Sequence, residues 1–527
     1  MLSFPKKFMF RLLHLLSLLL LSVFFCLQGY PQPPKREFRG VWIATVKNID
    51  WPYSTQSLGE EQKDNLRDLI AFHHNNGMNA VIFQVRPSSD AFYNSRFEPW
   101  SEWLTGQQGQ APSPLYDPLQ LAIDEAHSRG MALHAWFNPY RAVMDWKPNK
   151  SLAPTHIARL KPEWMLQYGN NLYFDPGIPE ARDYVVNVIM DVVQRYDIDA
   201  VHFDDYFYPY QITGTDFPDT LSYKTYGSGF PDKNAWRRNN VTDFVHMLRD
   251  SMLVYKPEVL FGISPFGVWR NKDMDANGSA TRAGQTSYDH LYADILLWLK
   301  NGWIDYVAPQ IYWSIGYPPA AFDILAEWWD SHSYGKHVYI GHAPYKVGNN
   351  TDTNWNNPSE IPSQIRMTRY LPNIQGSIYF SSKRLEENPL GVTDSLTSNY
   401  YHYPALLPEI RWVDDEAPKP LPEGLDPVSG KEGIILRWNP PAEDGAKYFG
   451  IYRKRGADSP EIIPENLIRV INPQEGSFLD RDTRFLRRYS YTLTGLDRFH
   501  NESEPISHET QIRWSGWFIG RKFPKKK

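Results

Sequence analysis

The chain has 527 residues, which is too many for one ordinary hydrophobic core, so at least two domains are expected. Its formal net charge of −5 excludes the broadly basic character typical of nucleic-acid-binding proteins, and no nucleic-acid partner is expected. Aromatic residues make up 15% of the chain, including 19 Trp. Their flat apolar faces with polar edges suit carbohydrate stacking as well as core packing.

The N-terminus has the pattern of a secretory signal. A basic segment ending at Arg11 precedes an apolar run over residues 12–27, which is too short to span a membrane comfortably. We therefore predict that residues 1–29 direct export to the periplasm or cell envelope. Cys26, the only cysteine, ends the run, so no disulfide is expected in the mature domains. Lipid attachment through Cys26 is an alternative that the residues leave open.

Residues 36–412 alternate short apolar runs with helix-forming segments, which predicts an α/β fold, a (β/α)8 TIM barrel. A doubly wound open sheet is the alternative, but no glycine-rich nucleotide fingerprint follows the first run. The predicted strands are 40–46, 80–86, 131–138, 200–205, 260–264, 306–312, 337–342 and 377–381. The predicted helices include 63–75, 118–129, 179–196, 240–255 and 288–301.

The loops after the predicted strands are long and rich in Trp, Tyr, Pro and Asn. In a barrel, loops of this kind gather at one face and build the binding site. They cover residues 87–103, 139–162, 206–236, 265–287 and 313–319. The short segment 171–177 is predicted to be a turn, with Asp175 as a cap or turn residue.

After residue 412 the pattern changes to short alternating strands separated by turn residues. Residues 413–511 are predicted to form a small all-β sandwich, and several of its segments resemble fibronectin type III strands. The predicted strands are 433–438, 448–454, 468–471, 477–480 and 489–493. Residues 512–527 form a basic tail, for which a solvated end or weak attraction to an anionic wall or membrane surface is expected.

Residues 198–209 are the most informative segment, because a buried strand ends there in two carboxylates and a cluster of aromatic residues. A polar residue at the C-terminal end of a barrel strand lies at the mouth, where barrel enzymes do their chemistry. Strand alternation places His202 and Asp204 inward and Asp205 on the other side. Asp204 is therefore the leading catalytic candidate, with Asp205 beside it but not facing the same ligand. An Asp-rich turn that caps the next helix is the alternative.

The same alternation predicts polar side chains inside the barrel, including Ser381 at the end of the last strand. A barrel packed only for stability would be filled with Val, Ile and Leu, and buried polar groups without partners are costly. We therefore predict a binding mouth. The predicted substrate-binding residues are Gln84, Arg86, His134, Trp136, Asn138, Tyr140, Tyr206, Tyr208, Gln310, Tyr312, Trp313 and His342.

Metal ligation is an alternative use of the same residues. His134, His202, Asp204 and His342 offer nitrogen and oxygen ligands, but none of the tight metal-binding spacings is present. No metal or other cofactor is therefore expected. A metal-dependent polysaccharide deacetylase remains an alternative function.

Seven segments together resemble the glycosyl-hydrolase-like family 10 of secreted bacterial proteins, which includes an enzyme that digests peptide-stripped peptidoglycan strands. They are RGVW (39–42), FQVRP (83–87), HAWFNPY (134–140), DPG (175–177), FDDYFYP (203–209), ISPFG (263–267) and PQIYW (309–313). The resemblance implies the barrel fold and hydrolysis of glycosidic bonds. It makes a polysaccharide the expected partner, with amino-sugar strands such as peptidoglycan the leading substrate.

The second catalytic group is less clear than the first, since most glycosidases use two carboxylates. The strand resembles the chitinase pattern at Asp199 and Asp204, but His202 and Tyr206 stand where further acids would be. In substrate assistance, an N-acetyl group of the substrate attacks the anomeric carbon, so a carboxylate nucleophile is not needed. A non-catalytic glycan-binding wall protein is a separate alternative, and it would need no catalytic carboxylate. The remaining candidates for the second role are Asp205, Asp175, Glu98 and Glu102.

Overall fold

The computed structural model describes residues 33–57, 59–418, 425–440, 446–505 and 508–512. The predicted export segment 1–29 with Cys26, and all of the basic tail beyond residue 512, lie outside the described residues. Within the described ranges, no helix is long and apolar enough to cross a membrane.

Eight parallel strands close into a barrel, and each strand pairs with its neighbours in sequence order around the ring. This confirms the predicted (β/α)8 architecture. Most strand ends differ from the prediction by a few residues; the largest difference is at the sixth strand, where only two residues are regular. The barrel strands are Phe38–Ile43, Ala80–Arg86, Ala132–Phe137, Ala200–Phe203, Leu260–Ile263, Tyr306–Val307, His337–His342 and Ile374–Tyr379.

Helices follow the strands and pack around the ring. The predicted helix 288–301 is two helices, because Asp294 accepts a hydrogen bond from the backbone N–H of Leu297 (3.2 Å) and so begins a new helix. The main barrel helices are Gly59–Asn75, Pro118–Ser128, Pro179–Arg195, Lys233–Tyr255, Ile295–Lys300, Phe322–Ser331, Glu360–Thr368 and Ser382–Glu387. Shorter helices are Glu102–Thr105, Ile157–Leu160, Thr220–Tyr226, Ser287–His290, Val392–Ser395 and the π-helix Leu396–Tyr400.

The barrel interior is filled by aromatic and small side chains rather than by layers of branched aliphatics. Tyr306 lies across the centre, and the missing side chain of Gly262 makes room for it. A Cβ atom at Gly262 would stand 1.9 Å from the Tyr306 ring, which is an impossible contact. The Tyr306 side chain of the sixth strand can therefore pack in the barrel centre only because the fifth strand has a glycine at position 262.

Tyr306 holds together a buried network that we call the barrel floor, made of Trp42, His134, His202 and Tyr306. The Trp42 indole donates to His202 Nε2 (3.2 Å), so the proton of neutral His202 is on Nδ1 and is donated to the Tyr306 hydroxyl (2.8 Å). That hydroxyl in turn donates to His134 Nδ1 (2.8 Å). Burial lowers the pKa of both histidines, so both are neutral.

An antiparallel three-stranded sheet is inserted after the third barrel strand and consists of Arg141–Val143, Met165–Tyr168 and Asn171–Phe174. Part of the segment predicted to be a turn is therefore a strand. The turn itself follows the strand, where Asp175 Oδ1 accepts a hydrogen bond from the backbone N–H of Gly177 (2.9 Å). Asp175 thus has the turn role that the sequence predicted.

The C-terminal part forms two antiparallel sheets, which confirms the predicted small sandwich. It packs against the N-terminal end of the barrel, where Lys447 forms an ion pair with Asp199 (2.7 Å). The fibronectin type III assignment stays a prediction. One sheet contains Asp426–Ser429, Ile434–Arg437 and Ser477–Asp480. The other contains Leu467–Ile471, Tyr448–Arg455, Arg488–Leu496 and His508–Ile512.

Candidate active site

The C-terminal ends of the barrel strands bring Asp204 and Asp205 together at the mouth. The fourth strand ends at Phe203, so the alternation of side chains stops two residues earlier than predicted. Asp204 contacts residues of the third strand and its loop, whereas Asp205 lies beside Gln310, which follows the sixth strand. Both carboxylates therefore lie at the mouth with different partners, and whether they face the same ligand stays a prediction.

Asp204 is surrounded by hydrogen-bond donors. Its Oδ2 accepts from the Asn138 side-chain amide and from the Trp136 indole (3.2 Å), and its Oδ1 accepts from the backbone N–H of Tyr206 (3.3 Å). The residue is only 5% exposed, and burial raises its pKa above the ordinary aspartate value. These donors and the positive charge of Arg141 oppose that rise by stabilising the ionised form.

Asp205 has fewer donors. Its Oδ2 accepts a hydrogen bond from the Tyr210 hydroxyl, while its Oδ1 has no hydrogen-bond partner among the described residues. Burial and the adjacent negative charge of Asp204 raise the pKa of Asp205 to about 7. At neutral pH a large fraction of Asp205 therefore carries a proton, next to a carboxylate whose hydrogen-bond donors favour its charged form.

A chain of amides fixes the direction of the Asn138 donor. The backbone N–H groups of Thr45 and Val46 donate to Gln84 Oε1 (2.9 Å each), which leaves the Gln84 Nε2 as the donor to Asn138 Oδ1 (2.6 Å). Asn138 must then turn its own NH2 group toward Asp204. Gln84 is therefore a positioning residue that acts on Asp204 through Asn138.

Aromatic rings surround the two carboxylates. Tyr206 stacks on Tyr210 with ring centroids 5.1 Å apart, and the Arg141 guanidinium lies 4.7 Å from the centre of the Tyr206 ring. Tyr312 lies close enough to both acids that their charges help to raise the pKa of its phenol. Further rings continue this wall, namely Phe266, Trp313, Tyr345 and Phe380.

The structure therefore brings most of the predicted site residues to one place. Their roles in catalysis or substrate binding stay predictions. The residues at or directly behind the mouth are Gln84, Trp136, Asn138, Asp204, Asp205, Tyr206, Gln310, Tyr312 and Trp313.

Arg86 does not face the barrel interior as predicted. The pairing of the second and third strands shifts between Gln84 and Arg86, which puts Arg86 opposite the helix-facing Phe137. There Arg86 forms a fully buried bidentate ion pair with Glu98 (2.7 Å for both bonds) and donates to the Asn138 carbonyl (2.6 Å). This pair anchors the loop behind the site, so neither Arg86 nor the candidate acid Glu98 is free to contact a substrate.

The two predicted histidines are also away from the mouth. His134 belongs to the barrel floor, one step closer to the N-terminal end than Trp136. His342 stacks between Phe322 and Tyr379 on the helix side of its strand, at centroid distances of 5.6 and 5.3 Å. His134 faces the interior as predicted but lies below the mouth, because alternation does not say at which level a residue lies. The inward direction predicted for His342 was wrong, since its ring packs against helix residues.

Two predicted tyrosines are packing residues. The Tyr140 ring lies against Phe244 of a barrel helix (5.2 Å), and the Tyr208 ring is enclosed by Phe217 and Tyr292 (5.3 and 5.0 Å). Both tyrosines are almost fully buried outside the barrel.

Two other polar residues considered for the site bind to residues away from the two carboxylates. Ser381 donates to Asp50 (2.6 Å), and Glu102, a candidate second acid, forms an ion pair with Lys150 (2.8 Å).

Sequence reasoning missed Arg141 and Tyr210. Arg141 begins a strand of the inserted sheet, and Tyr210 lies in the loop after the fourth barrel strand, so alternation in the barrel strands gives neither side chain a direction. Their nearness in sequence to predicted site residues could have indicated them, since Arg141 directly follows Tyr140 and Tyr210 directly follows segment 203–209.

No metal ligand set is present in the described part of the chain. Groups of three or more His, Cys, Asp or Glu side chains that could hold a metal ion do not occur there. The four candidates named from the sequence are separated: His134 and His202 bond to Tyr306, while His342 bonds to Gln364 (2.9 Å). Asp204 has none of them as a partner.

Comparison with known proteins finds a matching family and similar chains. A family model described as glycosyl hydrolase-like 10 matches residues 37–357. The chain is 46% identical over 483 residues to glycosyl hydrolase YngK of Bacillus subtilis (strain 168), which covers 90% of this chain and 94% of that protein. It is 38% identical over 378 residues to glycosyl hydrolase DigH of Escherichia coli (strain K12), covering 68% and 85%. Among solved structures, the glycoside hydrolase domain of PgaB (BpsB) from Bordetella bronchiseptica has a TM-score of 0.43 at 14% identity, covering 69% and 98%.

These relationships confirm the resemblance seen in the seven sequence segments. The family match extends over more than half of the chain, and both relatives are named as glycosyl hydrolases. They also confirm the prediction that this protein is an enzyme of the glycoside hydrolase class, with a glycan as its substrate. The chain belongs to the glycosyl hydrolase-like 10 family.

Proposed function

We propose that the protein is an exported enzyme that hydrolyses amino-sugar glycan strands such as those of peptidoglycan, with Asp204 and Asp205 as its catalytic pair. The observation that carries this proposal is the unequal environment of the two neighbouring carboxylates at the mouth. Glycosidases depend on one carboxyl group that is protonated and another that is charged. The apolar run before Cys26 supports export.

The hydrogen bonds assign the two roles. Asp204 accepts from two side chains and one backbone N–H, which favours its charged form. Asp205 has a pKa of about 7 and an Oδ1 without a partner, which suits a proton donor. Asp205 is therefore assigned as the general acid, and Asp204 as the charged group that stabilises positive charge at the reacting sugar.

Substrate assistance fits adjacent acids better than a protein nucleophile does. In this mechanism the acetamido carbonyl oxygen of the substrate bonds to the anomeric carbon while the glycosidic C–O bond breaks. The leaving oxygen takes the proton of Asp205, and Asp204 stabilises the oxazolinium ion through its N–H. Water then adds to the anomeric carbon and returns a proton to Asp205, which restores both acids.

The aromatic wall supplies the binding surface for such a polymer. The stacked Tyr206–Tyr210 pair and the half-buried Trp313 present ring faces and edges near the acids. Aromatic faces bury the apolar side of a sugar ring, while Gln310 and the tyrosine hydroxyls can bond to its polar groups.

The decisive experiment compares the wild type with Asp204→Asn and Asp205→Asn on peptide-free peptidoglycan glycan strands, with products resolved by mass. We expect discrete disaccharide-based fragments from the wild type and at least ~100-fold slower release from each variant. Asp250→Asn is the matched control, because Asp250 is an exposed helix residue whose side chain is 63% accessible. The control should retain wild-type turnover.

A substrate with an activated aryl leaving group separates the two roles. A good leaving group does not need protonation, so Asp205→Asn should regain much of its rate on an aryl N-acetylglucosaminide while Asp204→Asn should not. Near-normal turnover by Asp204→Asn on the glycan would remove its proposed role. Tight glycan binding without any new reducing ends, in the wild type as in the variants, would instead favour a non-catalytic wall protein.

A further inference from the structure

A cavity lies at the end of the barrel away from the mouth, where the sandwich packs against it. Its volume is about 300 Å³, and its walls come from the ends of two barrel helices, the linker after the π-helix and the sandwich strand Leu467–Ile471. We call it the junction cavity. Its side chains that can be charged or can donate a hydrogen bond include His74, Arg129, His402, Tyr448, Arg469 and His500.

The junction cavity has a positive charge that is incompletely balanced. The Arg469 guanidinium contacts His74 Nδ1 at 3.5 Å, and its Nε has no hydrogen-bond partner among the described residues. Burial and the neighbouring Arg129 both lower the pKa of Arg469, and the negative charge of Glu475 opposes them only in part. Arg129 is itself partly compensated by Glu125 (2.6 Å), so Arg469 is the cation in greater need of a counter-charge.

A second unused donor lies in the same cavity. Tyr448 is 2% exposed, and its hydroxyl has no hydrogen-bond partner among the described residues. His74 is neutral at pH 7, because burial and the two arginines lower its pKa to about 4, so it adds no further charge. The walls of the cavity thus include a half-buried arginine, whose Nε has no hydrogen-bond partner among the described residues, and a buried tyrosine whose hydroxyl has none there either.

We propose that the junction cavity binds an anionic group with several acceptor oxygens, either a carboxylate or a phosphate. Buried donors and cations are costly without partners, and an oxyanion satisfies both at once. A guanidinium offers a planar donor pair that matches carboxylate and phosphate oxygens. The site lies at the barrel end opposite Asp204, so its occupant does not compete with a glycan at the mouth.

The test is a binding titration of the full chain with two anions and one neutral sugar. Inorganic phosphate represents phosphate ligands and N-acetylmuramic acid represents carboxylated sugars, while N-acetylglucosamine is the neutral control. We expect saturable binding of at least one anion, measured by calorimetry and by a saturable rise of Tm. Binding of phosphate would indicate a phosphate ligand, and binding of N-acetylmuramic acid would indicate a carboxylate ligand.

Two substitutions locate the binding. Arg469→Gln removes the cation and should weaken anion binding at least tenfold, whereas Tyr448→Phe removes one donor and should weaken it several-fold. Arg481→Gln is the matched control, because Arg481 is a sandwich arginine with a 69% accessible side chain. The control should bind like the wild type. Tyr448→Phe removes a hydroxyl without a partner, so it should fold normally even if Arg469→Gln does not.

Two results would overturn the proposal. One is the absence of saturable binding for both anions. The other is equal binding by Tyr448→Phe, Arg481→Gln and the wild type, since a general salt effect on stability acts on all three alike. Because the readout is binding and not hydrolysis, neither result depends on whether the proposed glycan activity is correct.

Discussion

The mouth and the floor of the barrel are both polar, but they differ in how their hydrogen-bonding groups are used. On the floor, Trp42, His202, Tyr306 and His134 form a directional chain of three hydrogen bonds that ends at His134 Nδ1. At the mouth, Asp205 keeps an oxygen without a partner. A completed network stabilises a fold, whereas unfilled capacity beside a charged group is what a substrate can use.

The pKa shifts differ in the same way. Burial lowers the pKa of the floor histidines and leaves them neutral, which agrees with their hydrogen bonds. At the mouth, burial raises the pKa of two adjacent acids while the donors around Asp204 oppose the rise. The floor therefore has one stable protonation state near pH 7, and the mouth contains a group that exchanges its proton there.

Removing the central hydroxyl of the floor should have the largest effect among the tests of this comparison. Tyr306→Phe leaves a nitrogen of His134 and one of His202 without partners in a buried site. Each loss costs about 1–3 kcal/mol, so the free energy of unfolding should fall by roughly 2–6 kcal/mol. Urea unfolding measures this loss, and kcat of the remaining folded protein should stay within about threefold of the wild type.

Tyr93→Phe is the matched control for the floor. Tyr93 is also fully buried, but its hydroxyl has no partner among the described residues, so its removal should cost little stability. The comparison between floor and mouth fails if Tyr306→Phe abolishes turnover while the protein remains as stable as the wild type.

The barrel could be predicted because the periodic pattern of each strand is local. The second and seventh strands, Ala80–Arg86 and His337–His342, have the bounds that the pattern predicts. The sixth strand is shorter than predicted because Pro309 lacks a backbone N–H and interrupts the ladder. Beyond it, Gln310 makes only isolated bridges to Phe266 and Gly341.

The site could be predicted only in part, because side-chain direction depends on features that are not periodic. Asp204 and Asn138 follow from alternation, but Arg86 does not, since a shift in strand pairing turns it to the other side. The partnership of Asp204 with Asp205 depends on where the strand ends. Tyr210 comes from a loop, for which the sequence pattern gives no direction.

A smaller effect is expected from the amide chain that links the first strand to the mouth. Gln84→Glu keeps the acceptor for Thr45 and Val46 but loses the donor to Asn138. The Asn138 amide is then favoured to rotate, which turns its NH2 group away from Asp204. We expect kcat to fall about tenfold with KM nearly unchanged, because a positioning residue acts on the reacting geometry and not on binding.

Gln62→Glu is the control for this substitution. Gln62 is also buried and donates to a backbone carbonyl, that of Leu104 (2.8 Å), but it lies on a barrel helix. It should lose stability and retain kcat. An equal loss of kcat in both variants would mean that Gln84 acts only through stability.

The smallest expected effect is a shift in the pH profile. The general acid must be protonated, so kcat/KM should fall as pH rises through about 7, the pKa of Asp205. The Tyr210 hydroxyl stabilises the charged form of Asp205, so Tyr210→Phe should raise that pKa and move the alkaline limb upward by up to about one pH unit.

Tyr334→Phe is the control for the pH profile, because the exposed Tyr334 ring lies beside Lys300, away from the acids. Its limb should coincide with that of the wild type. The acidic limb in every variant should lie above pH 3.8, since Asp204 must be ionised and its pKa is raised from that value. If kcat/KM falls at the same alkaline pH in Tyr210→Phe as in the wild type, a group other than Asp205 delivers the proton. The difference between mouth and floor would then have to be explained by the hydrogen bonds of Asp204 alone.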